Sequence, residues 1–273
     1  MGLIASTRMY DVCPSAKNAW AGLLQYALNK ADLQVEVIDH AWPKPISDLW
    51  SRPGLCAVFM CGWPFIRALA AGLEVRPLVG VIPAWPAYGG LARYRSEFLI
   101  RESEGWGRLE DSFGSRYGWM VKDSQSGWNA PRMHLSSYAA KYGRALFAES
   151  RGPYGNPLGL INALTSHEID ITAIDGWYLD LIRSHCPEVL AGIQTMDFTE
   201  WTPNPLLIVS ATLDEDKYQG LLMAFLDMDK DLYGKELLKR ANVLRFQNVD
   251  VEKYFSLIDM EKRALANNYP EIA

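Results

Sequence analysis

The chain has 273 residues, of which 49% are hydrophobic and 22% are charged, and this is an ordinary composition for a globular protein. Its formal net charge of -5 gives it none of the excess basic charge that marks nucleic-acid-binding proteins. The longest apolar stretch, 57–73, is interrupted by Gly62, Pro64 and Arg67, so the sequence predicts no membrane span.

The first part of the chain alternates strands with helices. Strands are predicted at 3–7, 33–38, 55–60 and 78–82, and helices at 14–30, 46–50 and 65–71. The strand 55–60 is apolar throughout, as is typical of parallel strands that are buried on both faces. This alternation predicts a parallel α/β sheet.

Two connections divide the rest of the chain. Residues 83–90 contain two prolines and two glycines, and residues 196–205 contain Pro203 and Pro205. Between them, strands at 93–101, 116–121 and 169–174 and helices at 136–149, 158–166 and 177–185 predict a second α/β unit. After a strand at 206–210 the chain is predicted to be mostly helical. Two connections between two lobes form a hinge, and a cleft between lobes is a common place for a small ligand.

The stretch Asp123-Ser124-Gln125-Ser126-Gly127-Trp128 follows a predicted strand and precedes a predicted helix. The start of a helix directs N–H groups and a favourable dipole toward an anion, and small hydroxyls add donors. Gly127 lets a ligand approach the backbone closely. The alternative interpretation is an ordinary helix cap. Because Pro131 cannot lie deep inside a helix, either the helix begins near Asn129 or its first turn is irregular.

The cysteines and histidines form no metal-binding pattern. There is no CxxC pair and no zinc spacing among Cys13, Cys56, Cys61 and Cys186, and no ligand motif among His40, His134, His167 and His185. We therefore expect buried thiols at Cys56 and Cys61, and neither a metal nor another cofactor.

Three arginines and one glutamate lie on the predicted strand 93–101. Arg93, Arg95, Arg101 and Glu97 fall on one side of it. We expect them to form solvated ion pairs rather than to bind an anion.

Five short segments occur in order at suitable spacings: Met9-Tyr10-Asp11, Cys61-Gly62-Trp63-Pro64, Tyr94-Arg95-Ser96, Asp123 to Gly127, and Ile174-Asp175-Gly176-Trp177. In these segments the chain resembles the substrate-binding proteins of ABC transporters for phosphonate and phosphite, within a wider group that includes sulfonate binders. The resemblance implies a two-lobed α/β periplasmic-binding-protein fold of type 2, with two crossing connections that form a hinge. One lobe would comprise 1–87 and 197–273, and the other 88–196.

The resemblance also implies a function and a site. The protein would be a non-catalytic transporter component that closes two lobes on a small anionic or zwitterionic ligand, such as a phosphonate or phosphate. The serines, the glutamine and the glycine would hold the anion, the aromatic residues would wall the cleft, and Asp175 would accept a hydrogen bond from an amine or hydroxyl. The expected site comprises Ser124, Gln125, Ser126, Gly127, Asp175, Tyr10, Trp63, Tyr94, Asp11 and Tyr154.

The sequence departs from the family at two places. The loop 151–157 lacks the Thr-Gly-Ser-His-like pattern of its relatives, and Gln125 replaces a small hydroxyl residue. Several candidates also have a plainer interpretation: Asp175 as a helix cap, Asp11 as part of a capping loop, and Tyr94 and Trp63 as core residues.

Two other functions stay open at this point. One is an enzyme on the same fold that acts in the cytoplasm on a small carboxylate or a vitamin precursor, although the chain has no Ser-His-Asp arrangement, P-loop or metal spacing. The other is a ligand-sensing module, which an exposed apolar patch on one lobe would support.

Partners and location follow from the resemblance. An ABC permease would recognise the closed protein, which we expect to be a monomer with no nucleic-acid partner. The protein would be periplasmic if an export signal has been removed, and cytoplasmic if Met1 is the native start.

Overall fold

The computed structural model describes residues 2–143 and 145–273, and the chain divides into two compact units. The first unit runs up to Arg93 and includes Pro203–Lys253, and the second contains Tyr94–Thr202 and Tyr254–Ala273. Each unit has its own β-sheet. No helix in the described residues is both long enough and apolar enough to cross a membrane.

The first unit is built on a six-stranded sheet in the order β13-β4-β12-β3-β1-β2. Its strands are β1 (Leu3–Ser6), β2 (Val35–Val37), β3 (Leu55–Met60), β4 (Val75–Pro83), β12 (Leu206–Ser210) and β13 (Val243–Gln247). Strand β1 is parallel to β2 and β3, whereas β12 is antiparallel to both β3 and β4. The four strands β1 to β4 run in one direction, as the sequence predicted, because β12 is antiparallel to both β3 and β4. The later strands β12 and β13 run against them.

Five helices pack in the first unit: α1 (Pro14–Lys30), α2 (Ile46–Trp50), α3 (Gly62–Ala70), α7 (Glu215–Leu226) and α8 (Leu232–Arg240). Helix α1 buries Trp20, Leu23 and Leu24 at helical spacing, as the sequence predicted. The ring of Trp20 packs edge-on against Phe59 of β3, with ring centres 5.0 Å apart. The core of this unit therefore lies between α1 and the apolar strand β3.

The second unit is built on a five-stranded sheet in the order β10-β6-β9-β7-β8. Its strands are β6 (Ser96–Arg101), β7 (Arg116–Gly118), β8 (Glu149–Arg151), β9 (Ile171–Asp175) and β10 (Ile193–Phe198), and its helices are α4 (Ala130–Tyr142), α5 (Pro157–Thr165), α6 (Gly176–His185) and α9 (Phe255–Ala266). Strand β7 is parallel to β8 and β9, and β6 is antiparallel to β9 and β10.

The chain passes between the units three times, not twice as predicted. The first two passages are the short strands β5 (Arg93–Tyr94) and β11 (Thr202–Pro203), which pair with each other, and the third follows Lys253. We expected all of 197–273 to belong to the first lobe. The segment Tyr254–Ala273 instead belongs to the second unit, because α9 packs there on α4.

Helix α4 begins earlier and ends earlier than the predicted helix 136–149. It ends at Tyr142 because Gly143 adopts a left-handed conformation, with φ of 62°, and this stops the helix. Its start is continuous with the turn that precedes it, and that turn contains most of the expected anion-binding residues.

Candidate functional site

In the second unit, the loops that follow β7, β8 and β9 lie at one edge of the sheet. These three strands are parallel, so their carboxyl ends meet there, and the antiparallel β6 begins at the same edge. Ser124–Gly127 follows β7, Tyr154 follows β8, Asp175 ends β9, and Tyr94 precedes β6. The fold thus brings all expected site residues of this unit to one edge, which we call the loop edge.

The segment Gln125–Asn129 forms a π-helical turn that continues directly into α4. Ser124 caps it, since its Oγ accepts a hydrogen bond from the Gly127 N–H at 2.9 Å. Its carbonyl accepts from the N–H of Asn129 at 3.0 Å, five residues along. The first turn is therefore irregular, which was one of the two outcomes that the sequence predicted for this helix.

Pro131 removes the next hydrogen bond of this turn, and a side chain of β6 replaces it. Proline has no N–H, so in the π pattern the carbonyl of Ser126 receives no donor from it. The hydroxyl of Ser96, the first residue of β6, donates to that carbonyl instead, at 2.9 Å. The turn is thereby fixed to the start of β6.

The Ser126 hydroxyl is a hydrogen-bond donor that the described chain does not use. Its side chain is only 4% exposed, and among residues 2–143 and 145–273 the hydroxyl has no hydrogen-bond partner. Ser96 pairs with Asp175 across the sheet, so Ser126 and Asp175 both adjoin the same residue. The carboxylate of Asp175 accepts from the N–H of Tyr178 at 3.0 Å and caps α6. Two helix starts therefore meet at the loop edge, and both favour negative charge.

The side chain of Gln125 faces the interior of the unit. It is fully buried, its amide nitrogen lies 3.3 Å from the sulfur of Met260, and its amide oxygen accepts from Asn129 at 2.8 Å. Asn129 also donates to the carbonyl of Leu257 at 2.9 Å. This network anchors the turn to α9, so Gln125 has only its backbone N–H to offer a ligand.

Gly127 is required by packing. A Cβ at this position would lie 2.7 Å from the Cβ of Met120 and 3.2 Å from the Oγ of Ser124. Real Cβ atoms do not approach so closely, so any larger residue would displace the loop that holds Met120. The expected close approach of a ligand is not needed to explain the glycine.

The two tyrosines of the loop edge are oriented differently. Tyr94 is fully buried, as a packing residue would be. Tyr154 is partly buried, and its hydroxyl donates to Glu168 at 2.8 Å. Burial and this carboxylate raise the pKa of Tyr154 to about 12. Because Glu168 precedes β9 and Asp175 ends it, the Tyr154 hydroxyl is directed away from Asp175.

In the first unit, the expected site residues follow two neighbouring parallel strands. Tyr10 and Asp11 follow β1, and Trp63 follows β3, so all three lie at the same edge of that sheet. Tyr10 is fully buried, and its ring meets Phe59 edge-on at 4.8 Å. Tyr10 is thus also part of the core.

Trp63 and Asp11 are more open to a functional interpretation. Trp63 is 2% exposed, Arg67 lies 4.8 Å from its ring centre, and its indole N–H has no partner within the described chain. Burial raises the pKa of the Asp11 carboxyl, and the charges of Arg8 and Lys17 offset part of that rise. The indole N–H is therefore an available donor in this unit.

Sequence reasoning missed Arg95, and the expectation of solvated ion pairs for it was wrong. Its guanidinium lies 3.6 Å from the ring centre of Phe198 and 4.7 Å from that of Trp201. Glu97 is buried and binds Arg183 instead, at 2.7 Å. Both aromatic residues fall in or beside the stretch interpreted as a connection, and their spacing of three residues was the available signal.

Arg101 forms ion pairs as expected, but they are buried and not solvated. Arg93 donates to the carbonyl of Tyr88 at 3.0 Å, and Arg101 is buried and binds Asp170 at 2.7 Å. Burial alone would raise the pKa of Asp170, but hydrogen bonds from Arg116 and Arg101 outweigh it and hold that pKa well below its usual range. Arg101 therefore stabilises the second unit and is shielded from a ligand.

The described part of the chain contains no group of histidine, cysteine, aspartate or glutamate residues that could hold a metal ion. Burial raises the pKa of the Cys56 thiol to about 12, which makes it an inert core residue. What the loop edge offers is a set of hydrogen-bond donors at two helix starts, which suits binding of an anion.

A fold of two α/β units with hydrogen-bond donors at a sheet edge suits a protein that binds a small ligand. The sequence pattern of the family described as "ABC transporter, phosphonate, periplasmic substrate-binding protein" matches residues 58–254. The chain belongs to this family, whose members are substrate-binding components of transporters, and the predicted resemblance is confirmed. No curated protein matches the chain.

Solved structures confirm the fold. A binding protein component of an ABC phosphonate transporter from Pseudomonas aeruginosa superposes with a TM-score of 0.81 at 14% identity, over 97% of this chain and 87% of that one. PhnD1 from Prochlorococcus marinus, in complex with methylphosphonate, gives 0.72 at 15% identity, over 97% and 98%. The alkanesulfonate-binding protein SsuA from Xanthomonas axonopodis pv. citri, bound to MOPS, gives 0.61 at 16% identity, over 100% and 95%. The predicted two-lobed type 2 fold is therefore correct.

Proposed function

We propose that this protein binds a small phosphonate-like oxyanion at the loop edge of its second unit and presents it to an ABC permease. The observation that carries the proposal is the Ser126 hydroxyl, which is nearly buried, has no hydrogen-bond partner in the described residues and lies beside two helix starts. An oxyanion placed there accepts from this hydroxyl and from backbone N–H groups in the first turn.

The surrounding residues have distinct roles in this proposal. Ser124 holds the turn in shape through its cap, and Gln125 contributes its backbone N–H while its side chain anchors the turn. Asp175 accepts a hydrogen bond from an amine or hydroxyl on the ligand. Tyr94 packs beneath the loop edge, and Tyr154 lies at its margin. In the first unit, Tyr10 and Asp11 follow β1, and Trp63, which follows β3, offers its indole N–H as a donor.

The transport step follows from the family. Ligand binding closes the two lobes, because the ligand makes contacts in the closed form that the open form lacks. The permease then recognises the closed form, in which the protein acts as a periplasmic monomer. Methylphosphonate in the Prochlorococcus protein and MOPS in the Xanthomonas protein support the choice of ligand class, since both carry a tetrahedral oxyanion.

Isothermal titration calorimetry of the purified protein with methylphosphonate, inorganic phosphate and methanesulfonate tests the proposal. Replacing Ser126 with alanine should weaken binding of the best ligand by about 10- to 100-fold, the usual effect of one hydrogen bond to a charged group. The matched control is Ser115→Ala. The Ser115 hydroxyl is also buried without a partner in the described residues, but it precedes β7, at the opposite end of the strand.

The control should bind as the wild type does. Equal affinity of Ser126→Ala and wild type would contradict the assignment of the anion site. Failure of every oxyanion to bind the wild type would contradict the proposed ligand class.

A further inference from the structure

One guanidinium at the loop edge is held in place without a carboxylate. Arg95 is partly buried and lies against the rings of Phe198 and Trp201, at 3.6 Å and 4.7 Å from their centres. Within the described part of the chain, its side chain makes no hydrogen bond and no ion pair. An arginine in this state has five N–H donors that the protein itself does not use.

The acidic residues of the neighbouring segments do not serve Arg95. Each of them has another partner: Glu97 binds Arg183 at 2.7 Å, Asp197 binds His134 at 3.0 Å, Glu200 binds Arg263 at 3.4 Å, and Asp175 caps α6. The lack of a carboxylate partner is therefore a property of the arrangement and does not reflect a shortage of acidic residues nearby.

The aromatic contacts orient the guanidinium for binding in its own plane. Stacking against rings uses the faces of the planar group and leaves its edge, where the N–H groups lie, to an acceptor. That edge matches the two oxygens of a carboxylate or the oxygens of a phosphonate. Arg95 is thus preorganised to bind a second acidic group.

Arg95 also adjoins the proposed anion site along the chain. Its carbonyl accepts from the N–H of Gly176, at the start of α6, at 2.9 Å, and the next residue, Ser96, binds the carbonyl of Ser126. Arg95 lies between β5 and β6, directly before the residue that fixes the Ser126 turn, and its long side chain ends at the rings of Phe198 and Trp201. A ligand that reaches both Ser126 and Arg95 therefore needs two acidic groups separated by several bonds.

We propose that Arg95 binds a distal acidic group of the ligand, so that the protein selects oxyanions carrying a second carboxylate or phosphonate over those with a single acidic group. This inference depends on the proposed function, because it assumes that the first acidic group binds at Ser126. It identifies the substrate class as phosphonates with an acidic tail.

Titration calorimetry with methylphosphonate and with carboxyalkylphosphonates of increasing chain length tests the inference. In the wild type, affinity should rise sharply at the chain length that reaches Arg95. In Arg95→Met, which keeps the apolar stem, that ligand should lose about 10- to 100-fold in affinity, while methylphosphonate binds unchanged. Arg95→Lys keeps the positive charge but not the paired N–H donors of the guanidinium, so its affinity for that ligand should fall less than that of Arg95→Met.

The matched control is Arg245→Met, which removes an exposed arginine of the first unit that has no ion pair in the described residues. It should bind every ligand as the wild type does. The inference is overturned if wild-type affinity is the same at all chain lengths, or if Arg95→Met weakens all ligands equally or none. If methylphosphonate binds and the chain-length series is flat, the proposed function stands without this inference; if no phosphonate binds, both fall.

Discussion

At the scale of single residues, the two serines of the Ser-Gln-Ser-Gly turn have different tasks although they are two positions apart. The hydroxyl of Ser124 is used inside the protein, where it caps the turn by accepting from Gly127. The hydroxyl of Ser126 is not used by the described chain. The first serine therefore contributes to stability, and the second is the one that we propose for ligand binding.

Alanine substitutions separate these tasks. Ser124→Ala should lower the free energy of unfolding by about 1 kcal/mol, the usual cost of a lost helix cap. Ser126→Ala should change it by less than about 0.5 kcal/mol, since no intramolecular hydrogen bond is lost. Urea unfolding of both variants without ligand measures the difference, and equal losses in the two would contradict it.

Gly127 is a test of packing at the same turn. Gly127→Ala should lower the free energy of unfolding by about 1–3 kcal/mol, because the new methyl group would collide with Met120. The control is Gly107→Ala, where the nearest atom to an added Cβ is the Asp111 carboxylate at 4.0 Å. Chemical denaturation should find the control within about 0.5 kcal/mol of wild type. A Gly127→Ala variant as stable as the control would show that Met120 moves freely.

The sequence was sufficient to place Ser126 and Asp175 between a strand and a helix. It was not sufficient to orient Gln125, whose partner Met260 lies far along the chain. It also misassigned Arg95, since the aromatic rings that hold the guanidinium belong to a different strand and the segment after it. The role of a side chain depends on partners that are distant in the sequence, and a local sequence pattern does not reveal those partners.

At the scale of elements, a buried ion-pair network joins the strands β6, β7 and β9. The carboxylate of Asp170 accepts from Arg101 at 2.7 Å and from Arg116 at 2.6 Å. Its side chain is 14% exposed, so solvent screens the pair with the buried Arg101 only weakly. Removing the charge of Asp170 would leave two guanidinium groups without their partner.

Asp170 should also make stability depend on pH. Its folded pKa lies below the unfolded value of about 3.9, so its contribution is present above that pH and is lost as pH falls through the folded pKa. Asp170→Asn should cost about 1–3 kcal/mol at neutral pH, since solvent weakens the pair with the partly exposed Arg116, and its deficit relative to wild type should shrink in acid. Urea unfolding of both proteins measures this deficit at neutral pH, at a pH near the unfolded pKa of aspartate and at a lower pH.

The control for this experiment is Asp216→Asn, because Asp216 is exposed and has no ion pair in the described residues. Its stability should follow that of the wild type at every pH. A deficit of Asp170→Asn that is independent of pH would mean that the network acts through packing and not through charge.

The elements with a simple pattern were predicted best. Strands β3 and β12 are apolar throughout, and their predicted bounds agree with the structure. Strand β13 was not predicted, since it lies in the part of the chain expected to be mostly helical. A register shift between Val243 and Arg245 buries Val243 and Phe246, three residues apart, so the strand lacks the alternation that would indicate it. Strand β10 is half-exposed along most of its length and so has no apolar face to recognise.

At the scale of the whole molecule, the family and the class of fold were predicted correctly, but the assignment of the last segment to a unit was not. Helix α9 belongs to the second unit, where Leu257 and Met260 meet Asn129 and Gln125. No local signal in 254–273 indicates a partner more than a hundred residues earlier. The Gln125–Asn129 turn of the second unit is thus held in place by residues near the end of the chain.

Ligand binding should stabilise the whole protein. At about 100 times its dissociation constant, an oxyanion ligand should add about 2.7 kcal/mol to the free energy of unfolding. Thermal unfolding with methylphosphonate, against sodium chloride at the same ionic strength, measures this. Ser126→Ala should shift less than wild type at equal ligand concentration, and identical shifts in both would contradict binding at Ser126.

The most direct test of the account is a crystal structure of the protein with methylphosphonate. We predict a phosphonate oxygen within about 2.5–3.0 Å of the Ser126 hydroxyl, the usual length of such a hydrogen bond. The same group should lie at the start of the Gln125–Asn129 turn, where backbone N–H groups point toward it. A phosphonate bound elsewhere, with the Ser126 hydroxyl in contact with protein or solvent only, would contradict the proposed site.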